Sequence, residues 1–590
     1  MRFKFFTVVC CVFLQACSNV GGRGSETPPG DIAQVNEIAD RYLSHVLSTT
    51  PEIVYFHGLV LDHHDKLSKN DLASIKSREL TINRLLGELE EVNVNKLLGQ
   101  PEWITHAYLL QALRASVALR VCRNELWNVN QMEGWHSTYA RIAQLQPVGT
   151  AVFRNESLAR WSGFDIYIQT QVRNLQTGLK LGYSAPKTVV QRVIDQIDGL
   201  IALDIKQSPF YSPAARDPDV VFGNATFDIV TMKIYPALVL YRDFLSQTYI
   251  NAAREALSVT ANPNGLACYA ASLQSYTTLN RSGKQVFELG MQTVNNNKAK
   301  VVELGKKAYG LDNFDAIIAR VKTESSDQFT NKTDMLNFAR NAVHRAELEM
   351  PKWVHVIPDK PVIVVPFEEH EEGTGRAAHY LTGAEGQPGE YRIPLQEPEN
   401  QSRGNDEVTA FHETWPGHHL QVAIAQSITG IHPVTQLLWF SGPGEGWARY
   451  SEALAEEMEV YKTETAPILR RAWPARGMVV DPGIHLFGWT REQAIAFMTE
   501  SGRVAGAQGD QMVDRIAIQP GQLTAYDSGG LEILALRMQA EKRLGNMFDI
   551  REFHQRILEN GTIPLEKLRS HIETWIAGVK ETNRKKLNGF

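Results

Sequence analysis

A predominantly α-helical body with a small β-sheet next to its active-site helix is the fold class this sequence predicts, and three observations carry it. Apolar residues recur at three- and four-residue spacing through most of the first 350 positions. A short β-branched run, broken by prolines, interrupts them after Met350. Helical periodicity then resumes near Asn405 and holds to the C-terminus. At 590 residues the chain can bury one large helical body or more than one core.

The first seventeen residues read as a leader. Residues 1–4 are a short basic start, and the apolar run 5–14 is too short for the ~20 residues that span a bilayer, so it fits a secretory signal. It ends Leu14-Gln15-Ala16-Cys17, which resembles the bacterial lipobox. That resemblance implies cleavage before Cys17 and membrane attachment through lipid on it; the alternative is a plain secretory signal with Cys17 incidental. Residues 18–30 (SNVGGRGSETPPG) read as a flexible tether. The body is then expected in the bacterial cell envelope, on the periplasmic face or at the outer membrane, anchored but water-exposed.

Residues 31–350 form the helical N-terminal part, with periodic segments at 32–47, 103–121, 189–203, 227–245, 266–279 and 314–345. Ser208-Pro209, Asn262 to Gly265 and Gly310 to Asn313 punctuate them. In the second part, 351–590, the run 354–366 predicts one or two strands, 368–389 a loop, and 390–394 a further strand at an exposed edge. Asn405 or Asp406 is the predicted cap of a helix beginning near Glu407.

Of five cysteines, Cys10, Cys11 and Cys17 belong to the leader. Cys122 and Cys268 either pair, in an oxidising compartment, or stay as two buried thiols; the count excludes a metal site built on cysteine. A net charge of −6 with no basic stripe argues against nucleic acid as a partner. Nothing in the sequence fixes an oligomeric state.

The chemistry concentrates in His412-Glu413-Thr414-Trp415-Pro416-Gly417-His418-His419. In H-E-x-x-H zinc hydrolases, residues four apart share one helix face and reach one ion at ~2.0–2.1 Å. Here the spacing is longer. On a straight helix His418 would lie about 9 Å along and roughly 120° around from His412, and His419 about 10.5 Å along. Pro416 removes an N–H and collides with the carbonyl of His412, and Gly417 tolerates the resulting backbone. The expectation is a local bulge that absorbs two residues and delivers His418 as the second ligand, with His419 as the alternative. Glu413 is the expected general base, taking a proton from a water that the metal acidifies. Glu445, opening a helix after the predicted turn at Ser441 to Gly444, is the expected third ligand; Glu452 is its alternative, or a partner that orients a ligand histidine. A solvated helix face with a Glu–Arg pair is the plainer reading of that acidic segment. Two His and one Glu suit Zn2+.

These motifs resemble a bacterial family catalogued as domain of unknown function 885, whose members look like relatives of the gluzincin metallopeptidases and are often lipoproteins. The resemblance rests on H-E-x-x-P-G-H-H at 412–419, E-G-W-A-x-Y at 445–450, a D-x-G-x-H-x-x-G-W-T stretch from Asp481 through His485 to Thr490, and P-G-Q from Pro520 leading to Tyr526 and Gly529. It implies a zincin-like helical body and a peptide substrate. Aligned with the G-H-A-L of thimet-type oligopeptidases, Gly417-His418-His419-Leu420 supports His418 as ligand. Helical gluzincins place a late tyrosine that polarises the scissile carbonyl, and Tyr526 matches it; His485 is a second candidate donor, or a packed core histidine. Asp527 stands where family members often carry Lys. Arg515 and Arg537 are candidates for binding a substrate carboxylate, with ion-pair or surface roles as the plainer reading. The function expected is zinc-dependent hydrolysis of short or unfolded peptides. The alternatives are a non-catalytic envelope lipoprotein with a structural or vestigial metal site, or an amidase acting on cell-wall peptides.

Overall fold

The computed structural model describes residues 30–57, 59–368, 377–383 and 386–588. The leader, Cys17 and nearly all of the tether lie outside the described residues. The body is mainly α-helical, as the periodicity predicts, with a three-stranded sheet as its only sheet among the described residues.

The N-terminal part begins with α1 (Asp31–Thr49), α2 (Leu72–Glu90) and α3 (Glu102–Ala118), whose leucines, including Leu85, Leu89, Leu109 and Leu113, form a small core of their own. Next, α4 (Trp135–Leu145), α5 (Phe164–Lys180) and α6 (Lys187–Ile201) pack aromatic rings against a long helical stretch, 220–252, which carries two π-turns. α7 (Gly265–Thr277) is tied to the turn at Leu119–Cys122 by a Cys122–Cys268 disulfide, with an S–S distance of 2.13 Å. The pairing alternative is therefore the one realised.

α8 (Gly283–Tyr309) opens with a capping box from Ser282 and Gln285. The periodic run at 314–345 is not one helix. It divides into α9 (Phe314–Lys322) and α10 (Lys332–Glu349), because Asn331 caps a fresh start and the Ser/Thr/Asp-rich segment between them offers its side chains to the backbone.

In the sheet, β1 (Val362–Pro366) pairs in parallel with β3 (Gly389–Ile393), and β2 (His379–Leu381) pairs antiparallel on the other side of β3. Two expectations change here. The strand near 390–394 is central rather than an edge, and Tyr391 and Ile393 are buried on its core face. The predicted loop contains the short edge strand β2. Only the last residues of 354–366 form a strand, since Pro358 and Pro361 interrupt the ladder upstream.

The remaining helices build the centre of the molecule: α11 (Arg403–Glu413), α12 (His418–Ser427), α13 (Ser441–Glu457), α14 (Arg476–Leu486), α15 (Gly506–Ile518), α16 (Ala525–Leu544) and α17 (Leu565–Asn588). The largest apolar cluster joins α10, the sheet, α11, α13, α16 and α17. Another joins Val286 and Val294 of α8 to Met478 and Val479 of α14, so packing crosses the compositional boundary at residue 350. No described helix is long and apolar enough to cross a membrane.

Candidate metal centre

Ser402, not Asn405 or Asp406, caps α11 by accepting the Asn405 N–H at 3.1 Å, so the helix starts about one turn earlier than predicted. Val408 and Phe411 are fully buried, which fixes the rotation of α11, while His412 and Glu413 beside them are only partly buried. The helix ends at Glu413. Thr414 leaves helical angles, the Trp415–Pro416 bond is cis, and His418 is the first residue of α12. The expected bulge is therefore a complete break between two helices. Gly417 is required in it, because a Cβ there would lie 1.9 Å from the carbonyl oxygen of His412. Trp447, fully buried on α13, donates its indole N–H to the Pro416 oxygen at 2.9 Å, and the Ser451 hydroxyl reaches the same oxygen at 3.2 Å. The E-G-W-A motif thus holds the P-G break in place.

α13 carries Glu445 as an interior residue of its first turns; the segment read as a turn, Ser441 to Gly444, is already helical. α13 and α16 meet at very short range through glycines. A Cβ on Gly446 would stand 2.6 Å from the Cα of Gly529, and one on Gly529 would stand 1.9 Å from the Gly442 carbonyl oxygen. That approach brings Glu445 and Tyr526 to the same end of the helix pair.

The result is a three-residue cluster. One ligand atom each from His412, His418 and Glu445 lie within 4.8 Å of one another. Glu445 Oε2 is 3.6 Å from His412 Nε2 and 3.3 Å from His418 Nε2. A tetrahedral ion with bonds of about 2.0–2.1 Å keeps its ligand atoms about 3.3–3.4 Å apart, so these separations are those of a coordination edge. Two imidazoles and one carboxylate at this spacing fit a divalent cation. The electrostatics favour positive charge at this point. Burial opposes the charge on Glu445, yet hydrogen bonds with His412 and His418 hold its carboxyl well below the usual range. Burial likewise opposes charge on His412, but Glu445 and Glu452 outweigh it and push the imidazole up to about 10.

Glu452, 2% exposed, accepts His412 Nδ1–H at 2.9 Å and fixes which ring nitrogen faces the cluster. It is a positioning residue rather than a member of the three. Arg449 donates to both oxygens of Glu452 at 2.7 and 2.9 Å, and its Nε lies 2.9 Å from Asp527. Asp527 is thereby explained: it shares the charge of a buried arginine. Glu413 is half-buried beside the cluster, and its Oε2 accepts the Tyr380 N–H at 2.9 Å. Burial lifts its carboxyl above the ordinary value, against the pull of His412 and His418.

His419 is fully buried and is not among the three residues. Its Nδ1 meets the Tyr380 hydroxyl at 3.1 Å and its Nε2 the Lys360 oxygen at 2.9 Å, and burial depresses it to about 4. His485 is corrected to a packed core histidine. It accepts the Val259 N–H at Nδ1, meets the Ile516 carbonyl at Nε2, and is pushed down to about 3 by burial, leaving no nitrogen to donate to a substrate. Tyr526 is brought to the cluster, its ring 6.5 Å from that of His412 and nearly parallel to it.

The match to the family model described as "Bacterial protein of unknown function (DUF885)" covers residues 51–572. The chain belongs to the DUF885 family. No curated protein sequence matches this DUF885 chain. It is similar in fold to a crystal structure of a "putative lipoprotein" from Colwellia psychrerythraea, with a TM-score of 0.83 and 20% identity over 93% of this chain and 100% of the other. A second solved structure, a "putative lipoprotein of unknown function" from Shewanella oneidensis, has a TM-score of 0.75 and 18% identity over 91% of this chain and 99% of the other.

Two further DUF885 residues named from sequence resolve differently. Arg537 is committed to Glu457, Glu541 and the Tyr450 hydroxyl. Arg515 reaches Gln522 and Tyr526. The sequence reading did not single out Tyr380, and it gave Trp447 and Arg449, the arginine of the Glu–Arg pair, no part in building the site. Trp447 and Arg449 lie inside the motif that supplied Glu445, where helical spacing already put Arg449 one turn from Glu445 and Glu452; Tyr380 sits in a strand too short to announce itself.

Proposed function

We propose that this protein is an envelope-anchored zinc metallopeptidase acting on short or unfolded peptides. The observation that carries the reading is the convergence of His412, His418 and Glu445 within 4.8 Å of one another, with Glu445 Oε2 at 3.6 and 3.3 Å from the two Nε2 atoms, close to a tetrahedral edge, and Glu413 alongside. Two imidazoles and one carboxylate favour zinc among divalent ions. When bound, such an ion lowers the pKa of water towards about 7 and polarises a carbonyl oxygen.

The chain's own groups supply the rest. Glu452 holds the His412 ring so that Nε2 points inward. Glu413, kept in place by the Tyr380 N–H, removes the proton from the attacking water and passes it to the leaving amine. The Tyr526 hydroxyl donates to the oxygen that gains charge. Tyr380 lies on the edge strand β2, and its N–H, turned toward Glu413 rather than into β3, ties that edge to the centre. Trp439, whose ring is 6.2 Å from that of His418, also lines a cavity of about 560 Å3 bordered by Tyr42, Arg78, Arg120 and Tyr276. A partly buried centre beside an edge strand suits an extended peptide and restricts folded proteins. The envelope assignment draws on the lipobox-like leader, on relatives described as lipoproteins, and on the Cys122–Cys268 disulfide, which belongs in an oxidising compartment.

The test is metal analysis of the purified protein together with digestion of a peptide library by wild type and by Glu413→Gln. The expected result is one zinc per chain in both and hydrolysis in wild type alone. Equal digestion by both proteins, or metal-free protein with full activity, overturns the proposal. Bound metal with no turnover in either leaves the non-catalytic lipoprotein reading.

A further inference from the structure

A small cavity of about 150 Å3 opens beside Tyr526, lined in part by Arg449, Trp473, Met512, Arg515 and Asp527. Its two guanidinium groups are unlike each other. Arg449 is neutralised by Glu452 and Asp527. Arg515 donates from Nη2 to the neutral Gln522 Oε1 at 2.6 Å and to the Tyr526 hydroxyl at 3.5 Å, while its Nε is buried without a partner. Among the described residues no carboxylate forms an ion pair with it; Glu445 and Glu133 act on it only through the longer-range field.

A guanidinium stays charged at any working pH, and holding one in a half-buried pocket without an anion is costly. Its planar fork matches a carboxylate. The placement also matters. Tyr526 stands between the metal cluster and Arg515, with its ring against His412 and its hydroxyl towards Arg515. Consecutive residues advance about 3.8 Å, so a group one or two residues beyond a scissile carbonyl at Tyr526 comes within reach of this arginine.

We propose that Arg515 binds the free C-terminal carboxylate of the substrate, making the protein an exopeptidase that removes one or two residues from peptide C-termini. The inference rests on the metallopeptidase reading of the same centre. Water adds across the bond, leaving a shortened peptide with a new carboxylate and releasing an amino acid or dipeptide as the free amine.

The experiment uses matched peptides ending in a free acid or in an amide. Zinc-loaded full-length protein is expected to show kcat/KM at least about 30-fold higher on the acid, the scale of an enclosed Arg–carboxylate contact. In Arg515→Met that preference should fall to near unity, and Arg515→Lys, which keeps the charge but loses the fork, should fall between; thermal melts confirm that both variants fold. Calorimetry with Glu413→Gln protein should show the same preference in binding, without turnover. Equal handling of acid and amide by wild type, or a preference that survives Arg515→Met, overturns the assignment. Acid-selective binding without hydrolysis by any form leaves Arg515 standing and sinks the peptidase reading; hydrolysis without selectivity does the reverse.

Discussion

Replacing Glu452 with glutamine isolates what its buried carboxylate does for the metal centre. The carboxylate serves two donors at once, His412 Nδ1–H at 2.9 Å and Arg449 Nη1 at 2.7 and 2.9 Å. Glutamine has nearly the same shape but one acceptor oxygen. His412 and Arg449 share Oε1, so a glutamine oxygen placed there keeps both bonds but turns the NH2 group against the Arg449 guanidinium; in the reverse orientation the NH2 group confronts the imidazole N–H and the guanidinium together. Glu452 is 2% exposed, so water does not soften either conflict. Partners that orient a ligand histidine contribute about 10- to 100-fold in metal affinity, which is about 1.4–2.7 kcal/mol. Asp527 continues to compensate Arg449, so the fold should survive. The assay is zinc titration of metal-free protein against a competing chelator, with circular dichroism to confirm folding. Glu413→Gln serves as the control that keeps affinity. A folded Glu452→Gln protein that binds zinc within about twofold of wild type would falsify the positioning role.

Three further outcomes follow from the same geometry. Tyr526→Phe should retain metal and lose about 10²–10³ in kcat, as removal of one donor to the developing oxyanion does; steady-state kinetics with KM nearly unchanged is the expected pattern. Gly529→Ala should destabilise the protein by at least about 1–3 kcal/mol, because the new methyl falls 1.9 Å from the Gly442 carbonyl and forces α13 away from α16; chemical denaturation measures it, and a neutral effect would refute the close α13–α16 approach. Acid should weaken the fold through histidines buried as neutral bases: burial depresses His106 to about 4, and His485 and His554 to about 3. Their stabilising contribution is whole above the unfolded value near 6.5 and is lost as pH falls below it, at about 1.4 kcal/mol per pH unit for each. Denaturant midpoints measured from pH 7 to pH 5 should fall, and His554→Gln should flatten the slope.

How much of this could be read from the chain depends on whether the governing interaction is local. Helices announced themselves by apolar spacing, and the ligand set by chemistry packed into His412 to His419 and Glu445 to Glu452. Pro416 signalled that a straight helix could not serve. The kind of interruption was not legible, because it depends on Trp447 and Ser451 reaching the Pro416 oxygen from a helix thirty residues away. The true cap of α11 was hidden for the same reason: Ser402 is secured by Asp327, seventy-five positions upstream, which also receives the Gly404 N–H at 2.9 Å. β2 was read as loop because three residues, His379–Leu381, carry no alternation to detect, and only β3 makes them a strand. Asp527 looked like a departure that reversed a local charge, and it stops being one once Arg449 is seen across the helix pair. In each case the missing term is a partner distant in sequence. The unpaired state of Arg515 belongs to the same class, since a lone arginine in a sequence carries no sign of whether the fold supplies its anion or leaves that to a ligand.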